Sequence, residues 1–258
     1  MSDSPKAVNG VARAAQRAVR ELKRLARPSG DFDASHYFRG DHDLRFYNVG
    51  TRPMRLLARA IHSDHRDRWT VDDAMRFGDI LIENRYLEAK SVGIEIVARY
   101  RRAFTPPLLP RWKRWLAMNH AANWATTDAM CGALIGPTLV QFPERAGDMR
   151  AWSRHSNMWV RRASIVSLIP LARKGRALDL LYDIARRLHR DAEDLIQKAV
   201  GWALREAGKA DERRLEQYLL ANGPSIPRTT LRYAIERFPP AKRRLLLRAT
   251  KARLTTDN

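Results

Sequence analysis

A single cysteine, Cys131, stands in a chain of 258 residues. It excludes an intrachain disulfide and a cysteine-built metal site, and it fits a reducing, cytoplasmic setting. Long apolar runs are missing as well. The longest uncharged stretches, Ala129 to Pro143 and Leu116 to Thr127, are too short or too polar to span a bilayer, so no membrane partner is expected. The opening stretch MSDSPKAVNGVARAAQRAVRELKRLA lacks the apolar centre of a secretory signal. It is amphipathic, basic and poor in acids, a pattern that a transit peptide shares with an ordinary first helix. Alternating, strand-like runs are scarce. No glycine-rich phosphate loop is present, and no Ser-His-Asp arrangement can be argued. His62 and His65 flank Asp64, but HxxH without a third placed ligand is a weak metal signal. HYFRGDHD, from His36, reads better as a polar loop, so neither a metal nor a cofactor is expected.

Acids are the other shortage. Lys and Arg number 48 against 28 Asp and Glu, a net charge of +20. The excess is spread along the chain, with clusters in Arg13 to Arg27 and Lys242 to Arg253. A spread excess of this size favours a polyanion, most often nucleic acid. An acidic membrane surface is the rival partner, but no strongly apolar anchor accompanies the charge.

Hydrophobic residues make up 45% of the chain, enough for a continuous core. Apolar residues recur at helical spacing nearly throughout, as in Leu87, Val92, Ile94, Ile96 and Val97, or Trp159, Ala163, Val166 and Ile169. Short punctuators separate the segments: RPSG at 27, NVGTRP at 48, TPPLLP at 105, GP at 136, QFP at 141, NGPSIP at 222 and FPP at 238. Ser156 and Asn157 precede a segment in the manner of helix N-caps. The reading is all-α, with roughly a dozen helices of ordinary length. A basic N-terminal helix or arm occupies residues 1–30, and a single domain occupies residues 31–258.

The segments also repeat. NMWVRRASIVSLIPLA from Asn157 aligns with DLIQKAVGWALREAG from Asp194, and PRTTLRYAIERF from Pro227 resembles both more weakly. Asp128, Arg162, Lys198 and Arg232 then fall at spacings of 34, 36 and 34. A period in this range with two helices per unit predicts an α-solenoid, whose equivalent positions line one curved face. If that face is the concave one, Arg162, Lys198 and Arg232 form a basic stripe that neutralises phosphates without reading bases.

One carboxylate interrupts the stripe. Trp124 and Asp128, in NWATTDAM, differ by about 400° on a helix and share a face one turn apart. Lys198 and Trp202 repeat that relation. Trp124 sits one turn before the shared register position, and Trp202 one turn after it. Two aromatic faces, a carboxylate and two cations would therefore meet on the concave surface. The plainer alternative is a core tryptophan beside a solvated acid. Trp69, Trp112, Trp115 and Trp152 read as ordinary packing residues.

NWATTD, NMWVRRASIV, IQKAVGWALRE and PRTTLRYAIERF, in this order and spacing, resemble the bacterial DNA alkylation repair family of HEAT-like-repeat DNA glycosylases, the AlkD type. HYFRGDHDLRFYNVGTRPMR is similar to the family's early region, and the resemblance covers roughly residues 35–240. It implies HEAT-like repeats and a monofunctional glycosylase that excises cationic N3- or N7-alkylpurines from double-stranded DNA as a monomer. By motif it implies that Asp128 is catalytic and that Trp124 and Trp202 contact lesion or sugar. Arg162, or less directly Arg161, would hold the DNA backbone beside Lys198 and Arg232. The family pattern carries a second acid directly after the first tryptophan, and here that position is Ala125. The departure gives weight to an alternative, a non-catalytic repeat protein that binds branched or distorted DNA. A protein-interaction scaffold, with the charge incidental, is the third reading.

Overall fold

The computed structural model describes residues 5–28, 38 and 44–251. Most of HYFRGDHD, read above as a polar loop, lies outside these residues. The described chain is all-α, with no strand. One isolated backbone bridge, Arg45 with Tyr86, is its only extended pairing. Cα packing divides the chain into two compact units, Met1–Thr138 and Leu139–Asn258.

The first unit opens with α1 (Pro5–Arg24), whose Val11, Ala15, Ala18 and Leu22 are buried against α3 (Val71–Ile82). The amphipathic N-terminal stretch is thus a packed helix over these residues. Lys23 and Arg24 in its last turn complement the negative end of the helix dipole. α2 (Thr51–His65) lies against α4 (Leu87–Arg99). Thr70 and Asp73 close a capping box on α3, each side chain bonded to the other's backbone N–H. α3 and α4 approach closely because Gly93 has no side chain. A Cβ there would sit 3.0 Å from the Cβ of Leu81. α5 (Leu108–Ala117) buries Trp112 and Trp115, and the indole N–H of Trp115 donates to Asp79 at 2.8 Å. His65 stacks on Trp69 at 4.3 Å, His62 meets Tyr100 edge-on, and Asp64 pairs with Arg17. Each of these groups has a packing or surface role. No group of three or more His, Cys, Asp or Glu side chains among the described residues could hold a metal.

α6 (Trp124–Met130) does not end at the GP punctuator. It runs through a π-helical turn, Cys131–Ile135, into α7 (Gly136–Gln141). Pro137 supplies a reason. In a regular α-helix its ring would collide with the carbonyl four residues back, and it has no N–H to donate. Widening the preceding turn to π geometry, with the Gly136 N–H bonded to the Cys131 carbonyl, relieves that conflict.

The second unit contains α8 (Met149–Trp152), α9 (Met158–Val166), α10 (Ile169–Ala172) and α11 (Leu178–Leu188). α12 (Asp194–Ala207), α13 (Glu212–Asn222), α14 (Arg228–Ala234) and α15 (Pro240–Ala249) follow. α12 packs against both α9 and α14, while α11 and α13 lie against that row in chain order. Asn157 caps α9, as its position suggests, by accepting the Trp159 N–H at 2.8 Å. No helix among the described residues is long and apolar enough to cross a membrane.

Candidate functional site

The NHAANWATTD stretch is fixed residue by residue. α5 ends in a Schellman turn. Asn119 takes the left-handed conformation, φ 61°, which asparagine tolerates better than most residues. The His120 N–H bonds to the Trp115 carbonyl at 3.0 Å and the Asn119 N–H to the Leu116 carbonyl at 3.1 Å. Asn123 then caps α6, its side-chain oxygen accepting the Thr126 N–H at 2.8 Å. Thr127 donates back to the Ala121 carbonyl at 2.8 Å. Thr126, Thr127, Met130 and Cys131 turn inward, and Trp124, Ala125 and Asp128 remain half-buried. The four-residue spacing therefore does put Trp124 and Asp128 on one outward strip. The strip is otherwise built of small residues, Ala125, Ala129 and Gly132.

Two buried charges on α4 hold this region, and the sequence reading passed over both. Lys90 is 6% exposed and donates to the carbonyls of Ile82, at 2.7 Å, and His120, at 2.6 Å. It ties the end of α3 to the loop that leads into α6. Glu88, also 6% exposed, accepts the backbone N–H groups of Tyr47 and Val49 at 3.1 and 3.2 Å. That contact fixes the segment carrying Phe46, and Phe46 packs on Phe38 at 5.3 Å. Phe38 in turn stacks nearly parallel on the Trp124 indole, 5.5 Å between centroids and 6° between planes. The indole is thereby oriented by a partner 86 positions earlier in sequence. The available signal was a pair of opposite charges, Glu88 and Lys90, two residues apart in the first turns of the helix LEAKSVGIEIV. Buried charges are rare unless every polar atom finds a partner. Lys90→Met is expected to lower stability by about 2 kcal/mol, since two buried carbonyls lose a charged donor. Urea unfolding measures it.

In the second unit, the register positions share a helix row but differ in depth. Arg162 on α9 is 5% exposed, and its Nη1 donates to the Leu195 carbonyl in the first turn of α12. Arg161 is also engaged within the protein. It grips Asp191 with two nitrogens, at 2.6 and 3.3 Å, and bonds the carbonyls of His155 and Ser156 at 3.1 and 2.6 Å. Four of its N–H groups thus hold the turn before α9 to the turn before α12. Lys198 differs. It pairs with Asp194 one turn earlier at 2.6 Å, and both groups are well exposed. Such surface pairs contribute only about 0.3–0.5 kcal/mol and are readily exchanged for another anion. Arg232 on α14 is exposed, with no hydrogen-bond or ion-pair partner among the described residues. Trp202 is half-buried one turn after Lys198. The structure thus brings together Trp124 with Asp128 on α6, and Lys198 with Trp202 on α12.

Comparison with known proteins adds to this geometry. A family model described as "DNA alkylation repair enzyme" matches residues 18–238. Among solved structures, a predicted DNA alkylation repair enzyme from Enterococcus faecalis superposes with a TM-score of 0.69 at 15% identity, covering 88% of this chain and 96% of that one. At that identity the likeness is one of fold. No curated protein matches the sequence.

Proposed function

The chain belongs to the DNA alkylation repair enzyme family, and from that premise we propose that it is a DNA glycosylase hydrolysing the N-glycosidic bond of cationic N3- and N7-alkylpurines in duplex DNA. The observation that carries this reading is the Asp128 carboxylate, set beside an oriented indole on a strip of small residues in a chain of net charge +20. A groove made only to bind DNA gains nothing from a negative charge there.

The chemistry matches the group. Alkylation at N3 or N7 makes the base a cation, so it departs neutral and no general acid is needed. What remains is positive charge growing on the sugar and a water to be placed. A carboxylate meets both needs, and a fixed one does so without reorganising. The Trp124 indole, held in plane by Phe38, offers a π face to the cationic base or sugar, an effect of roughly 0.5–2 kcal/mol. A half-buried carboxylate on the face of a helix suits attack on a nucleotide that is not inserted into a tight pocket, unlike most base-flipping enzymes.

DNA-backbone binding falls to the outward cations. We assign it to Lys198 and Arg232, with Trp202 packed beside the strand as a second contact. Arg162 and Arg161 support them by tying α9 to the start of α12. The helix row in chain order within the second unit supports reading that unit as stacked helical repeats. Lys198→Ala and Arg232→Ala should each reduce the slope of log K against log salt by about 1, uniformly across sequences. Arg161→Ala should leave the slope nearly unchanged and destabilise the fold by about 2 kcal/mol. Fluorescence anisotropy over a salt series, beside urea melts, separates the two roles.

The test of the reaction is release of free 7-methylguanine from methylated duplex DNA. Release above the spontaneous rate is expected at saturating protein. No release under those conditions, with tighter binding to junction than to plain duplex, would instead establish the non-catalytic reading that Ala125 favours.

A further inference from the structure

The second unit has another concentration of cations, off the row formed by α9, α12 and α14. A cleft of about 540 Å³ is lined by Arg150 and Arg154, from α8 and the turn after it, and by Arg186, Arg187 and Arg190, at the end of α11. One carboxylate answers these five arginines. Asp183 accepts from Arg150 at 3.2 Å and from Arg186 at 3.4 Å. Arg186 is further held by the Asn222 side-chain oxygen at 3.3 Å. The side chains of Arg154, Arg187 and Arg190 are exposed and have no hydrogen-bond or ion-pair partner among the described residues. Arginines in the last turn of α11 complement its dipole. That accounts for Arg186 and Arg187 but not for Arg154, which comes from a different element.

His189 is a second, independent feature of the same wall. It is 5% exposed, and its Nε2 lies 2.7 Å from the Tyr218 hydroxyl. Its Nδ1 is buried and has no hydrogen-bond partner among the described residues. A buried polar atom left unpaired is costly, and native proteins keep few of them. Burial, reinforced by the Arg186 cation, lowers the His189 pKa to about 4, so the ring is neutral near pH 7. Burial also raises the Tyr218 pKa, so the phenol keeps its proton. A neutral ring pairs with the phenol through Nε2 in either tautomer.

From this geometry we propose that the cleft is a phosphate-binding site, built by Arg154, Arg187 and Arg190 to take adjacent phosphate groups. Guanidinium forks match phosphate oxygens two at a time, which is the recognition these side chains perform best. The phosphates come from a second stretch of nucleic-acid backbone or from a free phosphorylated small molecule, and both present the same oxyanions. The site does not depend on Asp128, so it stands whether or not the protein releases bases.

The experiment compares wild type with two triple variants of equal charge. One is Arg154→Ala/Arg187→Ala/Arg190→Ala in the cleft, and the other is Arg243→Ala/Arg244→Ala/Arg248→Ala on α15. Inorganic triphosphate is titrated by calorimetry, and an unmodified duplex by anisotropy across a salt series. Weakening of triphosphate binding by about tenfold or more in the cleft variant alone identifies a free phosphorylated ligand. A drop in the duplex salt slope of about 2–3 in the cleft variant alone identifies nucleic-acid backbone. Equal losses in the two variants, or none in either, overturn the proposal, because bulk charge then explains everything. A ¹⁵N spectrum supplies a readout that bulk charge does not move: triphosphate is expected to shift the ring-nitrogen signals of His189, which lines the cleft, in wild type, and unmoved signals count against the site.

Discussion

Asp128→Asn is expected to slow release of 7-methylguanine by about two to three orders of magnitude, the scale on which removal of one fixed electrostatic partner acts on a developing charge. Asparagine keeps the size and the hydrogen-bonding shape of the side chain and removes only the charge. The sugar cation then loses its counter-charge, and the water loses its strongest acceptor. Duplex affinity should hold or rise slightly, since a negative group is removed from the neighbourhood of a polyanion. Stability should change less than the rate, because asparagine keeps an acceptor oxygen at this half-buried position on α6. Single-turnover release, anisotropy and thermal melting together make the result diagnostic. A carboxylate that merely supported α6 would show the reverse pattern, a lower melting temperature with base release unchanged. Trp124→Ala should behave differently again, since it removes the ring that Phe38 stacks upon. Rate and stability should then fall together.

The outward strip on α6 was legible because helical spacing is a local property. Residues four apart share a face wherever the helix lies. The Asn157 cap was legible for the same reason. The positions spaced by 34, 36 and 34 residues, Asp128, Arg162, Lys198 and Arg232, each lie on a helix, α6, α9, α12 and α14. Depth was not legible. Equivalent positions in the repeat are buried for Arg162 and exposed for Arg232, because depth depends on what the neighbouring helix presents. Arg161, a candidate for the DNA backbone, is paired with Asp191, 30 residues away. Phe38 over Trp124, and Glu88 beneath Tyr47 and Val49, are likewise long-range pairings that one sequence does not announce. The π turn was half-legible. GP at 136 was recognised as a break in the pattern, but a break can end a helix or be absorbed within it. Here Gly136 and Pro137 lie inside the continuing helix, and the widened turn before them takes up the misfit.

Gly201→Ala is expected to cost about 3 kcal/mol, near the upper end for overpacking a well-fitted interface. Gly201 lies on α12 where α14 crosses it most closely. A Cβ added there would meet the Cβ of Tyr233 and would stand 2.6 Å from the Thr230 carbonyl oxygen and 3.2 Å from the Thr230 Cα. Two of those three atoms belong to the backbone, which cannot swing aside as a long side chain can. Thr230 is also pinned, its hydroxyl donating to the Gln197 carbonyl of α12 at 2.9 Å. Relief therefore requires the two helices to separate, which strains that bond and opens the packing beneath it. The alanine itself favours the helix over glycine by about 0.8–1 kcal/mol, so any net loss understates the steric term. Function should register the same displacement. Lys198 and Trp202 flank Gly201 on α12, and Arg232 sits on the opposing helix. Their separation sets how the assigned cations meet successive phosphates. Gly201→Ala should therefore weaken duplex binding even at temperatures where it remains folded, without touching a single charged group. Urea unfolding gives the first effect and anisotropy below the melting transition gives the second. Unaltered stability would show that α12 and α14 are not held at the distance the glycine permits.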